Sequence, residues 1–389
     1  MNSNTKKIVV SGMIRSGTTL ISRIINTHSK IRIGSDLLLF IFKLCLYRQL
    51  RDKSMIKESF DKFSLSSGYQ DNIYADTVKL ISKTNLNIEI KSEDKDIIKS
   101  KFKETLYMEP DFDINLNKIL EYQTYGMLVD YLYNKIADDQ DIEYVGTKEA
   151  YFDDFKPWLD ERYPGNKYIH IIRNPLAIYS SIKNLQKNYP LIYILHYWRK
   201  HIAHAVYNQY KHNALIILYE DLCKYPEKTI QSICSYLDLS FESDMLVDTN
   251  WSMLNGKQWI SNSSYKTENL RSLYIDSLDK WKEDVTDEDK MMANYLCFGE
   301  INKYYPDVFA TKIQSIEQNI FTEILLPTIT ERSSFSSIID KLFYTKNHLT
   351  KIWEYEQKRN KYLQHDIDLS NSTIIEFFLN KEAYRLLIS

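Results

Sequence analysis

The stretch Lys6-Lys7-Ile8-Val9-Val10-Ser11-Gly12-Met13-Ile14-Arg15-Ser16-Gly17-Thr18-Thr19-Leu20 constrains this chain more than any other. A β-branched apolar run, Ile8 to Val10, stops at Gly12, and a short polar loop leads into the amphipathic run Leu20 to Ile25. Strand, glycine loop and helix in that order form a cradle, because loop N–H groups and a helix N-terminus converge on one anion. Gly12 and Gly17 stand at the Walker A spacing, yet Thr18 occupies the place of the lysine that reaches the β- and γ-phosphates. The basic residue is Arg15, inside the loop. The cradle is built for an anion, with its cation placed differently from that of an NTPase.

The remainder alternates strands and helices. Ile31 and Ile33 mark a short second strand whose end carries Asp36. Ligands gather at the C-terminal ends of parallel strands, so Asp36 is an active-site candidate; it is equally placed to N-cap a helix Leu37–Leu50. The strand Ile142–Lys148 ends in a lysine at the same edge. Lys167–Ile172 is apolar on both faces, as an internal parallel strand is, with His170 read as a core histidine. Arg173 follows at the strand end and Ser181 lies about two turns into the next helix, a fork suited to a second phosphate. Ala214–Asp221 is a further parallel strand. His201 and His204 share a helix face, but no carboxylate or cysteine completes a metal set.

The pattern predicts an α/β fold, a P-loop-type central parallel sheet with helices on both faces and right-handed crossovers. A helical, mixed-charge insertion occupies about 37–120, and Tyr107–Asp113 within it is a candidate substrate wall. Residues 311–389 read as a helical C-terminal extension to a domain spanning 1–310, with Asn371-Ser372 capping a helix Ile374–Leu387.

Formal net charge of -2 argues against a nucleic-acid backbone as the main partner. Four scattered cysteines without a C-x-x-C pair suit reduced thiols. Met1 to Thr5 are polar, and the strongest apolar run, Leu37–Phe42, is far short of a membrane span. The expectation is a soluble, cytoplasmic protein, oligomeric or not.

These pieces resemble the sulfotransferases that use 3′-phosphoadenosine 5′-phosphosulfate (PAPS), over roughly residues 6–305. Arg15-Ser16-Gly17-Thr18-Thr19-Leu20 resembles the 5′-phosphosulfate loop of the tyrosylprotein and Golgi carbohydrate branch. Arg173 with Ser181 is similar to the 3′-phosphate element, and Tyr219-Glu220-Asp221-Leu222 to a Tyr-Glu-Asp-Leu strand end. The resemblance implies PAPS as co-substrate, bound by Arg15, Ser16, Gly17, Thr18, Thr19, Arg173, Ser181, Tyr219 and Lys280. It implies Asp36 as base, where the family carries a glutamate, and Lys148 and Arg15 as supports of the transferring group. Ser264, or its neighbour Ser263, and Lys280-Trp281 would close over the cofactor.

A sulfuryl group moving in line between two oxygens needs positioned cations and N–H donors, and a carboxylate for the acceptor proton. Sulfate's single charge implies that no metal is required. The acceptor would be a hydroxyl of a glycan, lipid-linked glycan, peptide tyrosine or small molecule. A P-loop kinase and a catalytically silent nucleotide-binding module are the competing readings.

Overall fold

The β-branched runs pair into one parallel sheet in a computed structural model that describes residues 5–63, 77, 80–137, 141–150, 153–185, 189–212, 214–259, 273, 275, 278–327 and 345–365. Its strands are β1 (Lys6–Gly12), β2 (Ile31–Ser35), β3 (Tyr144–Ala150), β4 (Lys167–Ile172) and β5 (Ala214–Leu218). Their order is β2-β3-β1-β4-β5, with every pairing parallel, so all five C-terminal ends share one edge.

The main helices are α1 (Thr18–Asn26), α2 (Leu39–Asp52), α3 (Ser92–Lys101), α4 (Tyr125–Ile136), α5 (Lys156–Arg162), α6 (Pro175–Asn184) and α7 (Leu191–His212). They continue as α8 (Tyr219–Lys224), α9 (Pro226–Tyr236), α10 (Trp281–Asp284), α11 (Asp287–Tyr304), α12 (Gln318–Leu325) and α13 (Lys346–His365). The two-residue period of the strands sorts the core into faces. Ile8, Val10, Ile33, Ile169 and Ile171 pack under α1 and α9. Val9, Val145 and Tyr168 face the other way, into a cluster with α2, α4 and α5 of and beside the insertion. A third cluster joins α6, α7 and α11 to Phe321 and Leu325 of α12 and Leu349 and Ile352 of α13.

Several boundaries differ from the sequence expectation. The helix after the cradle begins at Thr18, directly on Gly17, rather than at Leu20. β3 continues to Ala150, so Lys148 and Ala150 share one face while Glu149 points to the other. Tyr219-Glu220-Asp221-Leu222 is not a strand end but the first turn of α8. Its partner explains this: β4 stops at Ile172 ahead of Pro175, and the β4–β5 ladder ends at Ile172 with Leu218. The predicted cap Asn371-Ser372 with helix Ile374–Leu387, and Ser263 and Ser264, lie outside the described residues. No helix among the described residues is long and apolar enough to cross a membrane.

Candidate active site

The cradle loop is tight because its glycines leave no room for anything else. A Cβ on Gly12 would stand 2.6 Å from Thr18 and 2.7 Å from Ser16; one on Gly17 would stand 2.5 Å from the Tyr219 ring. Gly17 adopts φ 94°, the left-handed region, and serves as the N-cap of α1. Ser16 closes the loop, its amide (3.1 Å) and hydroxyl (2.6 Å) both donating to the Met13 carbonyl. The first turn of α1 holds no acidic residue, and its N-terminus has no side-chain cap hydrogen bond. Its leading N–H groups are left for an anion.

The second basic element sits against the first. Arg173, buried, donates through Nη1 to the Arg15 carbonyl at 2.9 Å and stacks 4.4 Å from the Tyr219 ring centroid. Arg15, at φ 65°, in turn donates from Nε to Ser181 Oγ at 3.1 Å. Burial, and then the neighbouring Arg173 charge, lower the Arg15 pKa. Two guanidinium groups crowded in this way are what an anion site requires. The Arg173 backbone is braced by groups that sequence reasoning missed. Trp198 Nε1 donates to its carbonyl at 2.8 Å, and the next amide, Asn174 N, donates to Glu220 Oε1 at 3.0 Å. Tyr305 holds the other Glu220 oxygen at 2.9 Å.

At the ends of β2 and β3, Asp36 accepts from Lys148 Nζ at 2.6 Å and from Tyr107 Oη at 3.0 Å, both on Oδ2. Asp36 is not the N-cap of the following helix, contrary to one of its two sequence readings. It takes φ 57°, and α2 begins later, with Leu38 as N-cap. Glu149 does the capping from the opposite face of β3. Its Oε1 accepts from Leu38 N at 2.7 Å and Thr147 Oγ1 at 2.5 Å, and its Oε2 from Leu39 N at 3.2 Å. Burial and then the Asp36 charge push the Glu149 carboxyl up to about 8. Relieved of capping, the Asp36 side chain faces a cavity.

That cavity, about 860 Å³, brings together Arg15, Thr18, Thr19, Asp36 and Lys148. Leu39, Phe40, Phe60, Ile182, Leu185 and Tyr189 supply an apolar wall, and Lys43, Asp61, Lys101 and Glu104 a charged outer part. Tyr107 and Met108, from the predicted wall segment, line it too. Gly17 and Tyr219 lie behind the loop as mutual packing. Lys280 does not line the cavity; it opens α10, which packs on the Ser181 helix α6.

A protein-family model described as "Sulfotransferase family" matches residues 7–243, a span that contains the cradle, Asp36, Lys148, Arg173 and Ser181. The chain belongs to the sulfotransferase family. Solved structures with which this sulfotransferase shares similarity include the sulfotransferase domain of the curacin biosynthetic pathway, at 14% identity. That match covers 73% of this chain and 92% of the other, with TM-score 0.43. The sulfotransferase domain of the Synechococcus PCC 7002 olefin synthase is 16% identical, covering 74% and 90%, with TM-score 0.41. Retinol dehydratase in complex with androsterone and inactive cofactor PAP is 13% identical, covering 94% and 83%, with TM-score 0.29. No curated protein sequence matches.

Behind the cradle of this sulfotransferase, the histidines find the carboxylate that sequence reasoning denied them. Asp153 accepts from Ser11 Oγ on β1 at 2.7 Å and pairs with His201 Nδ1 on α7, also at 2.7 Å. His170 Nδ1 stands 3.7 Å from the same carboxylate, and His170 Nε2 meets Asn208 at 3.0 Å. His204 pairs likewise with Asp154 at 3.3 Å. Ligand atoms of Asp153, His170 and His201 lie within 4.8 Å of one another. Burial pushes the His170 pKa down to about 3, so its ring is neutral. With both Asp153 oxygens engaged, the cluster ties β1, β4 and α7 together. The 48 residues separating Asp153 from His201 hid this contact from sequence reading.

Proposed function

We propose that the enzyme moves a sulfuryl group from PAPS to the hydroxyl of a compact, partly apolar acceptor. The observation that carries this reading is one cavity in which the cradle and Arg15 meet the Asp36–Lys148 pair. The chain fits the nucleotide by a specific test: Arg173 Nε is buried without a hydrogen-bond partner among the described residues, beside Arg15 and Ser181. A buried guanidinium in that state suits an added anion. Arg15, Ser16, Gly17, Thr18 and Thr19 would hold the 5′ end, and Arg173 and Ser181 the 3′-phosphate, with Tyr219 stacked beneath Arg173.

PAPS, when bound, supplies the sulfuryl group on a phosphate leaving group. The chain supplies charge and proton handling. Lys148 and Tyr107 hold the Asp36 carboxylate through Oδ2, at the place where an acceptor hydroxyl would give up its proton. Lys148 and Arg15 place positive charge where the peripheral and leaving oxygens gain negative charge. The apolar wall of Leu39, Phe40, Phe60, Ile182, Leu185 and Tyr189 shields the centre from water and favours a hydrophobic alcohol or phenol over a polysaccharide. The described cysteines are all buried free thiols, as a cytoplasmic enzyme would carry them.

Thermal-shift titration separates the readings. Adenosine 3′,5′-bisphosphate should raise the melting temperature without magnesium; stabilisation by ADP with Mg²⁺ alone would indicate a kinase instead. A protein that binds the bisphosphate yet transfers nothing to a panel of phenols and alcohols would be a silent binding module.

A further inference from the structure

We propose that the Tyr107 hydroxyl occupies the acceptor position of this site, and that the enzyme sulfates Tyr107 in cis when no other acceptor is bound. The inference rests on the reading above and deepens it.

Tyr107 belongs to the insertion, yet its hydroxyl donates to the carboxylate assigned as the base, at 3.0 Å. It lines the same cavity as Arg15, Thr18, Thr19 and Lys148, the residues assigned to the donor. Core packing does not explain the position, because the residue is 68% exposed. What fixes it lies on either side. Phe102 and Leu106 are buried ahead of it in the 3₁₀-helical segment Phe102–Met108. Beyond it, Glu109 forms an ion pair with Arg23 of α1 at 2.6 Å, both side chains being 1% exposed. Arg23 also donates to the Met108 carbonyl at 3.2 Å. The helix that opens on the cradle therefore carries the strut that sets Tyr107 over the base. Geometry of this kind turns a bimolecular transfer into an intramolecular one.

The step balances without an oxidant or a metal. The phenol proton passes to the Asp36 carboxylate as the phenol oxygen bonds to sulfur. The bond from sulfur to the 5′-phosphate oxygen breaks, and adenosine 3′,5′-bisphosphate leaves with that electron pair. Although most of the residue is exposed, desolvation at its hydroxyl end and then the Asp36 charge raise the Tyr107 pKa, so the phenol keeps its proton until the step. Once Asp36 has released that proton, its restored charge repels the aryl sulfate anion beside it. An external acceptor must displace the same ring.

The test uses the full chain with radiolabelled PAPS and no added acceptor, followed by tryptic digestion. The expected label is one sulfate on the peptide Glu104–Lys118, whose only tyrosine is Tyr107. The rate per chain should not change with protein concentration. Tyr107→Phe should lose the label while adenosine 3′,5′-bisphosphate still raises its melting temperature. An unlabelled Tyr107 in protein that binds the bisphosphate and sulfates added naphthol overturns the proposal and leaves the sulfotransferase reading standing. Label on another residue, or a rate that climbs with protein concentration, overturns it as well. Protein that neither binds the bisphosphate nor forms it from PAPS overturns both.

Discussion

The Asp36 backbone amide donates to the Lys148 carbonyl at 2.8 Å, while the Lys148 ammonium reaches back to Asp36 Oδ2 at 2.6 Å. The first bond extends the β2–β3 ladder by one step beyond Ser35, which pairs with Lys148. Strand register thus sets carboxylate against lysine, and a slip of one residue would point Lys148 into the opposite face. Both side chains are nearly buried, at 12% and 4% exposure, so the pair is little screened by water.

Asp36→Asn keeps this shape and removes the proposed base. We expect kcat for sulfation to fall by about 10²–10⁴-fold, with the affinity for adenosine 3′,5′-bisphosphate unchanged. Steady-state rates beside isothermal titration check both halves. An unaltered kcat would remove Asp36 from the mechanism.

Arg173 is assigned to the 3′-phosphate, and a ligand without that group tests the assignment. Arg173→Ala should cost adenosine 3′,5′-bisphosphate about 1.5–3 kcal/mol of binding and leave adenosine 5′-phosphate little affected. Equal losses for the two ligands would mean that Arg173 serves only to prop up the Arg15 loop through its 2.9 Å bond.

Gly17→Ala meets two penalties, a φ of 94° and a Cβ 2.5 Å from Tyr219. Gly165 is a fair control, with φ 90° and nothing within 4 Å of a built Cβ. The Gly165→Ala change isolates backbone strain, about 1 kcal/mol or somewhat more. Gly17→Ala should exceed it by a further 1–3 kcal/mol or so, as a packing clash against a ring. Urea denaturation of the two variants reads the difference directly.

The sheet was legible because its strands are short apolar runs, with glycine or proline at or beside the ends of β1, β2 and β4, a local signal. Lys167–Ile172 appears with the predicted bounds, and the cradle with the predicted order. The position of Asp36, Lys148 and Arg173 at one sheet edge was legible because residues at the ends of parallel strands must share it, and Ser181 lies, as expected, inside the helix that follows Arg173. Glu149 was not. Its role as cap for Leu38 and Leu39 depends on α2 passing over β3, a contact across 111 residues. Asp153 and Glu109 escaped for the same reason, and Tyr219–Leu222 was read as strand because α8 follows β5 without a break. Long-range polar pairing leaves no periodicity in a sequence.

The Glu149 carboxyl links stability to pH. Burial, then Asp36, raise it from an ordinary value of 4.5 to about 8, so the folded protein binds a proton that the unfolded chain releases. A raised pKa makes its contribution fully present below 4.5 and lost as pH climbs through about 8. Across that window this group alone should lower stability by up to about 1.4 kcal/mol per pH unit. Glu149→Gln should flatten the decline between those limits, since the amide cannot titrate. Denaturation midpoints at a series of pH values test this, and parallel slopes for the two proteins would refute it.

Glu356 of α13 is buried between Arg199 of α7, at 2.8 Å, and Arg359, at 3.6 Å. Arg359 also pairs with Glu300 of α11 at 2.8 Å. Burial pushes the Glu356 carboxyl up, but Arg199, His196 and Arg359 outweigh it and hold the pKa well below the usual range. Arg199 adjoins Trp198, which anchors the Arg173 carbonyl, so α13 reaches Arg173 through two neighbouring residues of α7. Glu356→Gln strips a buried guanidinium of its counter-charge and should cost about 3–5 kcal/mol. Arg199→Met combined with Glu356→Leu should recover most of that loss, because neither charge is then left buried alone. Urea denaturation of both variants settles the energetics, and bisphosphate titration tests the reach to Arg173. A single variant as stable as the parent, with undiminished bisphosphate affinity, would show the extension to be energetically separate from the catalytic core.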